Sequence, residues 1–282
     1  MTYIQALLMG VIQGLSEFLP ISSSAHIVLM SHLYKFFTGQ EFAPTGSGEI
    51  FFDIIVHLGT LVAVLVYLRK EIFEIIRDFF TALKTRDFSS EGAKLPLYII
   101  IGSFMTVIIV FPLKDIAEHL TAKPNIVGLL LIVTGFILFT TEYIFKKFPC
   151  KSDKITLKAA IITGIAQGLA VFPGISRSGS TIAAGMLAGV DRVKCAKYSF
   201  LLSIPIIVGA SMLYPLLEMD TATVSDLNIG ILLTGFFSSA IVGFFCIKYF
   251  LKFLQKYSMK VFAYYCWVVG ILMFLSFSFF IK

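Results

Sequence analysis

The sequence predicts an all-α polytopic membrane protein. Six transmembrane helices and two re-entrant helical hairpins are expected, arranged as an inverted-topology repeat within one integral domain, residues 1–282. Three observations predict this. First, 57% of the 282 residues are hydrophobic and 14% are charged, with a mean hydropathy of +0.90. Soluble domains carry about 25% charged residues, so the composition argues against a water-soluble enzyme. Second, six apolar stretches each reach the roughly 17–25 residues that cross a bilayer. Third, two further apolar regions, 1–38 and 155–190, are broken near their middles by Pro, Gly and small hydroxylated residues.

Region 1–38 breaks at Glu17-Phe18-Leu19-Pro20-Ile21-Ser22-Ser23-Ser24. Its first arm has no basic n-region and runs straight into that polar motif, so a cleavable signal peptide is not expected. Spans follow at 50–68, 96–112 and 125–145. Region 155–190 breaks at Phe172-Pro173-Gly174-Ile175-Ser176-Arg177-Ser178-Gly179, and spans follow at 198–217, 228–247 and 261–281. Basic residues sort the connections: six Lys/Arg in 69–95, five in 146–158, three in 192–197 and four in 248–260, together 18 of the 23. Connections 36–49, 113–124 and 215–227 hold Lys114, Lys123 and several acids. The positive-inside rule places the first group in the cytoplasm and the second outside.

Segment 155–190 then begins and ends inside, which one span cannot do. Its arms of about 15 residues, roughly 22 Å of helix, are short for crossing. A re-entrant hairpin satisfies both constraints. The same treatment of 1–38 places the N-terminus outside. The two broken regions also match each other: Gln13-Gly14-Leu15 with Gln167-Gly168-Leu169, Phe18 with Phe172, and Ile21-Ser22 with Ile175-Ser176, all at an offset of 154. Each is followed by three spans. An odd number of crossings per unit inverts the second copy, giving units 1–150 and 151–282 in opposite orientations with their tips near the bilayer midplane.

The net charge of +6 is a topology signal. No basic run is interleaved with exposed aromatics, so nucleic acid is not an expected partner. Cys150, Cys195, Cys246 and Cys266 are scattered and form no CxxC pair.

The chemistry concentrates on the two tips. An ionisable side chain at membrane depth costs roughly 2.5–3.5 kcal/mol and is a functional candidate by default. Irregular backbone at that depth needs protein or a wet cavity around it. Arg177 stands in a Gly- and hydroxyl-rich stretch, Pro173 to Thr181, that opens a new helix. Helix-start amides favour anions, and a guanidinium clamps phosphate through two N–H groups. Gly174, Ser176, Ser178, Gly179, Ser180 and Thr181 therefore read as a phosphate cradle around Arg177. The competing reading is a static ion pair between Arg177 and Glu17.

Gln13 and Glu17 share a helix face at i, i+4. Glu17 is a candidate cation ligand or base, and Gln13 offers a neutral oxygen. Otherwise the two cap broken backbone. Ser23 and His26 can share a face at the start of the next helix. Ser23 needs a base to act as a nucleophile, which His26 or Glu17 could supply. His26 could itself attack phosphorus. Ser22 and Ser24 line the same turn as substrate contacts, with helix capping as the bland role for at least one of them. Asp53 and His57, also i, i+4, are weaker candidates for the cavity mouth. Asp191-Arg192 reads as a boundary pair, and Glu142 as a snorkelling residue near a span end.

The run from Gln13 to His26 resembles the (E/Q)xxxE block of the undecaprenyl-diphosphatase family, and Pro173 to Thr181 is similar to its PGxSRSxxT signature. Phe52–Gly59 and Tyr198–Pro205 also resemble family segments. The resemblance covers essentially the whole chain. It implies an enzyme of the bacterial cytoplasmic membrane that hydrolyses undecaprenyl diphosphate to undecaprenyl phosphate and inorganic phosphate. Such an enzyme recycles the carrier for cell-wall polymers and confers bacitracin resistance. It also implies dependence on a divalent cation (Mg or Ca), an outward-opening site and an interlocked inverted repeat. Glu17, Ser23, His26, Ser176, Arg177 and Thr181 match functional family positions. Gln13 fills the first position of the block, which shifts weight onto Glu17.

The expected site thus has Glu17, Ser23, His26 and Arg177 as catalytic residues, with Glu17 as the metal ligand if the protein supplies one. Expected partners are a polyprenyl diphosphate and bilayer lipid, with a homodimer left open. Because paired re-entrant tips also build transporters, the second reading is a transporter or flippase of an anionic lipid.

Overall fold

The computed structural model describes residues 1–39, 47–148, 152–218 and 228–280. Most of the expected external connections 36–49 and 215–227, and Cys150, lie outside the described residues. The chain runs α1 Tyr3–Ser16, α2 Ser23–Thr38, α3 Ser47–Tyr67, α4 Arg69–Thr85, α5 Glu91–Val110, α6 Lys114–Thr121, α7 Pro124–Lys147, α8 Leu157–Leu169, α9 Arg177–Leu187, α10 Arg192–Glu218, α11 Ile229–Lys256 and α12 Lys260–Leu275. A π-helical turn, Ser276–Phe280, closes α12. Among the described residues there is no strand, only an isolated bridge between Ser152 and Val190.

Six helices, α3, α5, α7, α10, α11 and α12, are long and apolar enough to cross a membrane. The protein is a multi-pass membrane protein. Their outward faces expose Phe104, Phe136, Ile241 and Val268, a surface suited to lipid. Two helices overrun the apolar stretches: α10 starts at Arg192 rather than 198, and α11 continues to Lys256 rather than 247. Backbone hydrogen bonding does not stop where hydrocarbon does, so a helix runs on until something caps it. Two connections that read as loops contain helices. The basic segment after α3 forms α4, and the short α6 precedes α7.

The broken regions form two helix pairs, α1–α2 and α8–α9, of 14, 16, 13 and 11 residues. Each is shorter than the roughly 17 residues needed to cross. Side-chain caps start them: Thr2 and Gln5 form a capping box on α1, Ser22 caps α2, Thr156 caps α8, and Ser176 caps α9.

The two halves exchange partners. Helix α1 packs on α11, α8 packs on α5, and α7 packs on α12. Glycines permit the close approach. Gly10 and Gly14 on α1 recur as Gly164 and Gly168 on α8, the same offset of 154. A Cβ on Gly10 would sit 2.6 Å from Gly235 O, and one on Gly164 would sit 2.3 Å from Gly102 O. Small residues four apart let backbones touch where lipid provides no hydrophobic drive. Gly164→Leu is therefore expected to destabilise the protein by about 1–3 kcal/mol or more. A thermal melt in detergent reads this, and an unchanged midpoint would contradict the packing.

Ion pairs tie the basic ends together. Glu142, expected to snorkel, is instead buried. It accepts from Arg192 at 2.7 Å and from the Met259 amide at 2.8 Å, joining α7, α10 and the α11–α12 turn. A carboxylate with two charge-assisted partners has no need of water. Lys197 donates to Glu71 at 2.7 Å, and Lys194 lies 2.8 Å from Glu91, linking α10 to α4 and α5. Partial burial pushes the Glu71 carboxyl up, but the hydrogen bond and charge of Lys197 outweigh it and hold the group below the usual glutamate range. A depressed carboxylate stabilises the fold above its unfolded pKa, and that contribution is lost as pH falls through the folded value. The stability gap between wild type and Glu71→Gln is therefore expected at neutral pH and should close in acid. A gap independent of pH would contradict the pairing.

Candidate active site

The hairpin tips touch. Ser178 Oγ donates to Leu19 O at 3.0 Å, and the Gly174 amide donates to Ser24 Oγ at 3.4 Å. Gly174 turns the second tip at a φ of +101°, and a Cβ there would lie 2.4 Å from Val127 O. Glycine alone fits both demands. Thr134 on α7 braces the turn: its hydroxyl donates to Gly174 O at 2.9 Å and accepts from the Ser176 amide at 3.0 Å. On the first tip, Ser22 holds a φ of +67°, unusual for a residue with a side chain.

At this junction lies a cavity of about 390 Å³. The first tip lends it Ser16, Glu17, Ser22, Ser23 and Ser24, and the second tip Ile175, Ser176 and Arg177. Helix α3 adds Asp53 and His57, α5 adds Thr106, the α8 end adds Gln167, and α10 adds Ser203 and Ser211. The rest of the wall is mostly aliphatic.

Glu17 is the hub. Its carboxylate is 7% exposed and forms an ion pair with Arg177, whose side chain is 19% exposed. Glu17 Oε2 accepts from Gln13 Nε2 at 2.9 Å and from Ser23 Oγ at 3.2 Å. His57 Nε2 stands 3.7 Å from the same oxygen, while His57 Nδ1 is 2.8 Å from Asp53 O. Arg177 also donates to Ser199 O at 3.4 Å. Of its five N–H donors, the remainder make no further hydrogen bond among the described residues.

The structure sorts the expected residues into two groups. Glu17, Ser22, Ser23, Ser24, Ser176 and Arg177 reach the cavity wall. The others stand behind it. Gln13 is fully buried and contacts Glu17. Gly174 shapes the turn. Gly179 N is capped by Ser176 Oγ at 3.1 Å, Ser180 N bonds Ser176 O at 2.8 Å, and Ser178 Oγ serves the other tip. Thr181 Oγ1 is 2.6 Å from Ser199 Oγ. The cradle is thus narrower than the sequence suggests, because capping and tip-to-tip bonds occupy most of its polar groups.

His26 also stands outside the wall. Its Nδ1 is 2.8 Å from Ser22 O, and its Nε2 is 2.7 Å from Tyr265 OH, with the two rings stacked. Ser23 and His26 thus turn to different partners, Ser23 Oγ to Glu17 and the imidazole to Ser22 O and Tyr265. Asp53 and His57, the weaker candidates, are in the cavity. Thr134, Ser199, Thr106 and Ser203 were not singled out from the sequence. The available signal was polar residues inside apolar spans, with Ser199 and Ser203 at i, i+4.

Among the described residues, no three His, Cys, Asp or Glu side chains gather as a ready-made metal cage. The Glu17 and Asp53 carboxylates both line the cavity and offer hard oxygens there. That set fits an ion such as Mg, which takes one or two carboxylates and completes its shell with water and substrate phosphates.

The chain is similar over nearly its whole length to known proteins. The chain is 40% identical to the undecaprenyl-diphosphatase of Methanosphaera stadtmanae, over 95% of this chain and 96% of the relative. It is 39% identical to that of Carboxydothermus hydrogenoformans, over 96% of each chain. It is 36% identical to undecaprenyl-diphosphatase 4 of Bacillus cereus, again over 96% of each. Residues 6–272 match the family described as Bacitracin resistance protein BacA, and the chain belongs to that family.

Proposed function

We propose that this protein is an integral membrane phosphatase. It hydrolyses undecaprenyl diphosphate to undecaprenyl phosphate and inorganic phosphate, recycling the lipid carrier for cell-wall synthesis and conferring bacitracin resistance. The observation that carries the reading is the convergence of Ser23, Glu17 and Arg177 at one cavity wall, with Ser23 already donating to Glu17. A transport reading is not favoured, since the named relatives are diphosphatases.

The diphosphate head enters the cavity while the isoprenyl tail remains in lipid. Arg177 swings part of its fork from Glu17 to the terminal phosphate and stabilises the charge that grows there in the transition state. Glu17, relieved of part of its counter-charge, accepts the Ser23 proton. Ser23 Oγ forms a bond to the terminal phosphorus as the bond to the bridging oxygen breaks, releasing undecaprenyl phosphate. Water then cleaves the phosphoserine and yields inorganic phosphate. His26 acts as a positioning residue, holding Ser22 O and so the strained turn that aims Ser23. Glu17 and Asp53, both on the cavity wall, would hold a Mg or Ca ion, which would supply charge neutralisation of the diphosphate.

The site opens to the external face of the cytoplasmic membrane. The supporting pattern runs across helices: Asp53 lies early in α3 and His57 at its midpoint, Thr106 and Val110 lie late in α5, and Ser203 lies near the middle of α10 with Ser211 beyond it. None of these residues lies at the basic end of its helix. The hairpins enter from opposite faces, as two inverted units, and meet within the bilayer.

Phosphate release from undecaprenyl or farnesyl diphosphate by the purified protein tests this, with Mg, Ca or chelator present. Cation-dependent release is expected, with chelator abolishing it and Glu17→Ala lowering it at least about 100-fold. Folded protein that releases no phosphate with any cation would sink the proposal.

A further inference from the structure

Helix α4 takes no part in the cavity, yet its surface is ordered in strips. Ile72, Ile75 and Ala82 face the protein. Phe73, Ile76, Phe80 and Leu83, spaced by three and four residues, are 67%, 48%, 59% and 50% exposed. Lys70, Arg77 and Lys84 recur every seven residues, and Arg77, 62% exposed, shares its guanidinium with Asp78 at 2.9 Å. They stand three or four positions from Phe73 and Phe80, which makes each cation a neighbour of the apolar strip. Beyond the cations, on the side away from that strip, come Glu71, Glu74 and Asp78, which line a second, charged cavity with Lys194 and Lys197. Around the helix the order is thus apolar, basic, acidic.

That order matches depth at a membrane surface: acyl chains, then phosphates, then water. The position of α4 agrees. A single residue, Leu68, separates it from the spanning α3, whose last turn exposes Leu65 and Val66. The apolar strip therefore continues a lipid-facing surface rather than starting a patch in water. A soluble partner would have to compete with the bilayer for it.

We propose that α4 lies in the interface plane as a binding surface for anionic phospholipid. Phe73, Ile76, Phe80 and Leu83 enter the acyl boundary, and Lys70, Arg77 and Lys84 hold lipid phosphates. The surface needs α4 at a bilayer surface, whichever leaflet that is, so the inference stands apart from the orientation and activity proposed above.

The test uses the full-length protein in nanodiscs of phosphatidylcholine with increasing phosphatidylglycerol. For Phe80→Trp, read against the wild-type signal of Trp267, the added emission is expected to be blue-shifted and quenched by lipids brominated near the headgroup. By native mass spectrometry, wild type is expected to retain phosphatidylglycerol over phosphatidylcholine. Removing the three cations as Lys70→Gln, Arg77→Gln and Lys84→Gln should weaken that preference by about fivefold per charge. The midpoint of a thermal melt in zwitterionic detergent should be unchanged, which shows that the variant is folded. Added emission quenched by aqueous iodide and not by brominated lipid, whether α4 is bare or covered by a protein, would overturn the proposal. So would equal retention of the two lipids by wild type, or an unaltered preference in the folded triple variant.

Discussion

Ser23→Ala is expected to lower kcat at least about 10³-fold, because it removes the nucleophile from a site that otherwise stays assembled. The fold should tolerate the change. Ser23 Oγ makes a single hydrogen bond, to a carboxylate that keeps Gln13 and Arg177 as partners. His26→Ala is expected to cost less, about 10- to 100-fold, since it loosens the Ser22 turn without removing a reacting atom. The intermediate separates this from the alternative in which His26 attacks. Acid-quenched enzyme should carry an acid-stable phosphoserine that is absent in Ser23→Ala. An acid-labile phosphoenzyme that persists in Ser23→Ala and vanishes in His26→Ala would transfer the nucleophile to His26.

Arg177→Ala should lower kcat at least about 100-fold, by analogy with loss of one preorganised donor at a developing negative charge. It should also cost stability, because Glu17 would remain buried without its counter-charge, a loss of about 3–5 kcal/mol for a broken buried pair. The two effects can be separated. Glu17→Gln combined with Arg177→Ala should recover much of the stability and none of the activity. Arg177→Lys keeps the charge but loses the planar fork, so it should fold like wild type and remain well below it in rate. Near-normal turnover by Arg177→Ala would remove the clamp from the mechanism and leave Arg177 as a structural counter-ion to Glu17.

Much of the site was readable in one dimension because membrane depth is expensive for polar groups. Glu17 and Arg177 stand out against an apolar background, and the repeat at offset 154 pairs the two segments that carry them. Ser22 to Ser24 follow from the same break. The repeat extends to Gly10 and Gly14 with Gly164 and Gly168, a pattern that predicts close helix contact, although which helix fills each groove cannot be read from it. Asp53 and His57 were ambiguous for the same reason. An i, i+4 pair specifies a helix face but not what that face meets.

Composition, span lengths and the distribution of Lys and Arg determine that the chain is a multi-pass helical membrane protein with two broken segments. These are one-dimensional consequences of the bilayer's thickness and low polarity. The tertiary structure decided the rest, because contact between residues 160 positions apart depends on how helices pack. It set Arg177 against Glu17, placed His57 in the cavity and His26 against Tyr265. It also turned most of the second tip's hydroxyls and amides inward. At a helix start those groups must first satisfy the fold, and only what capping leaves over can face a ligand.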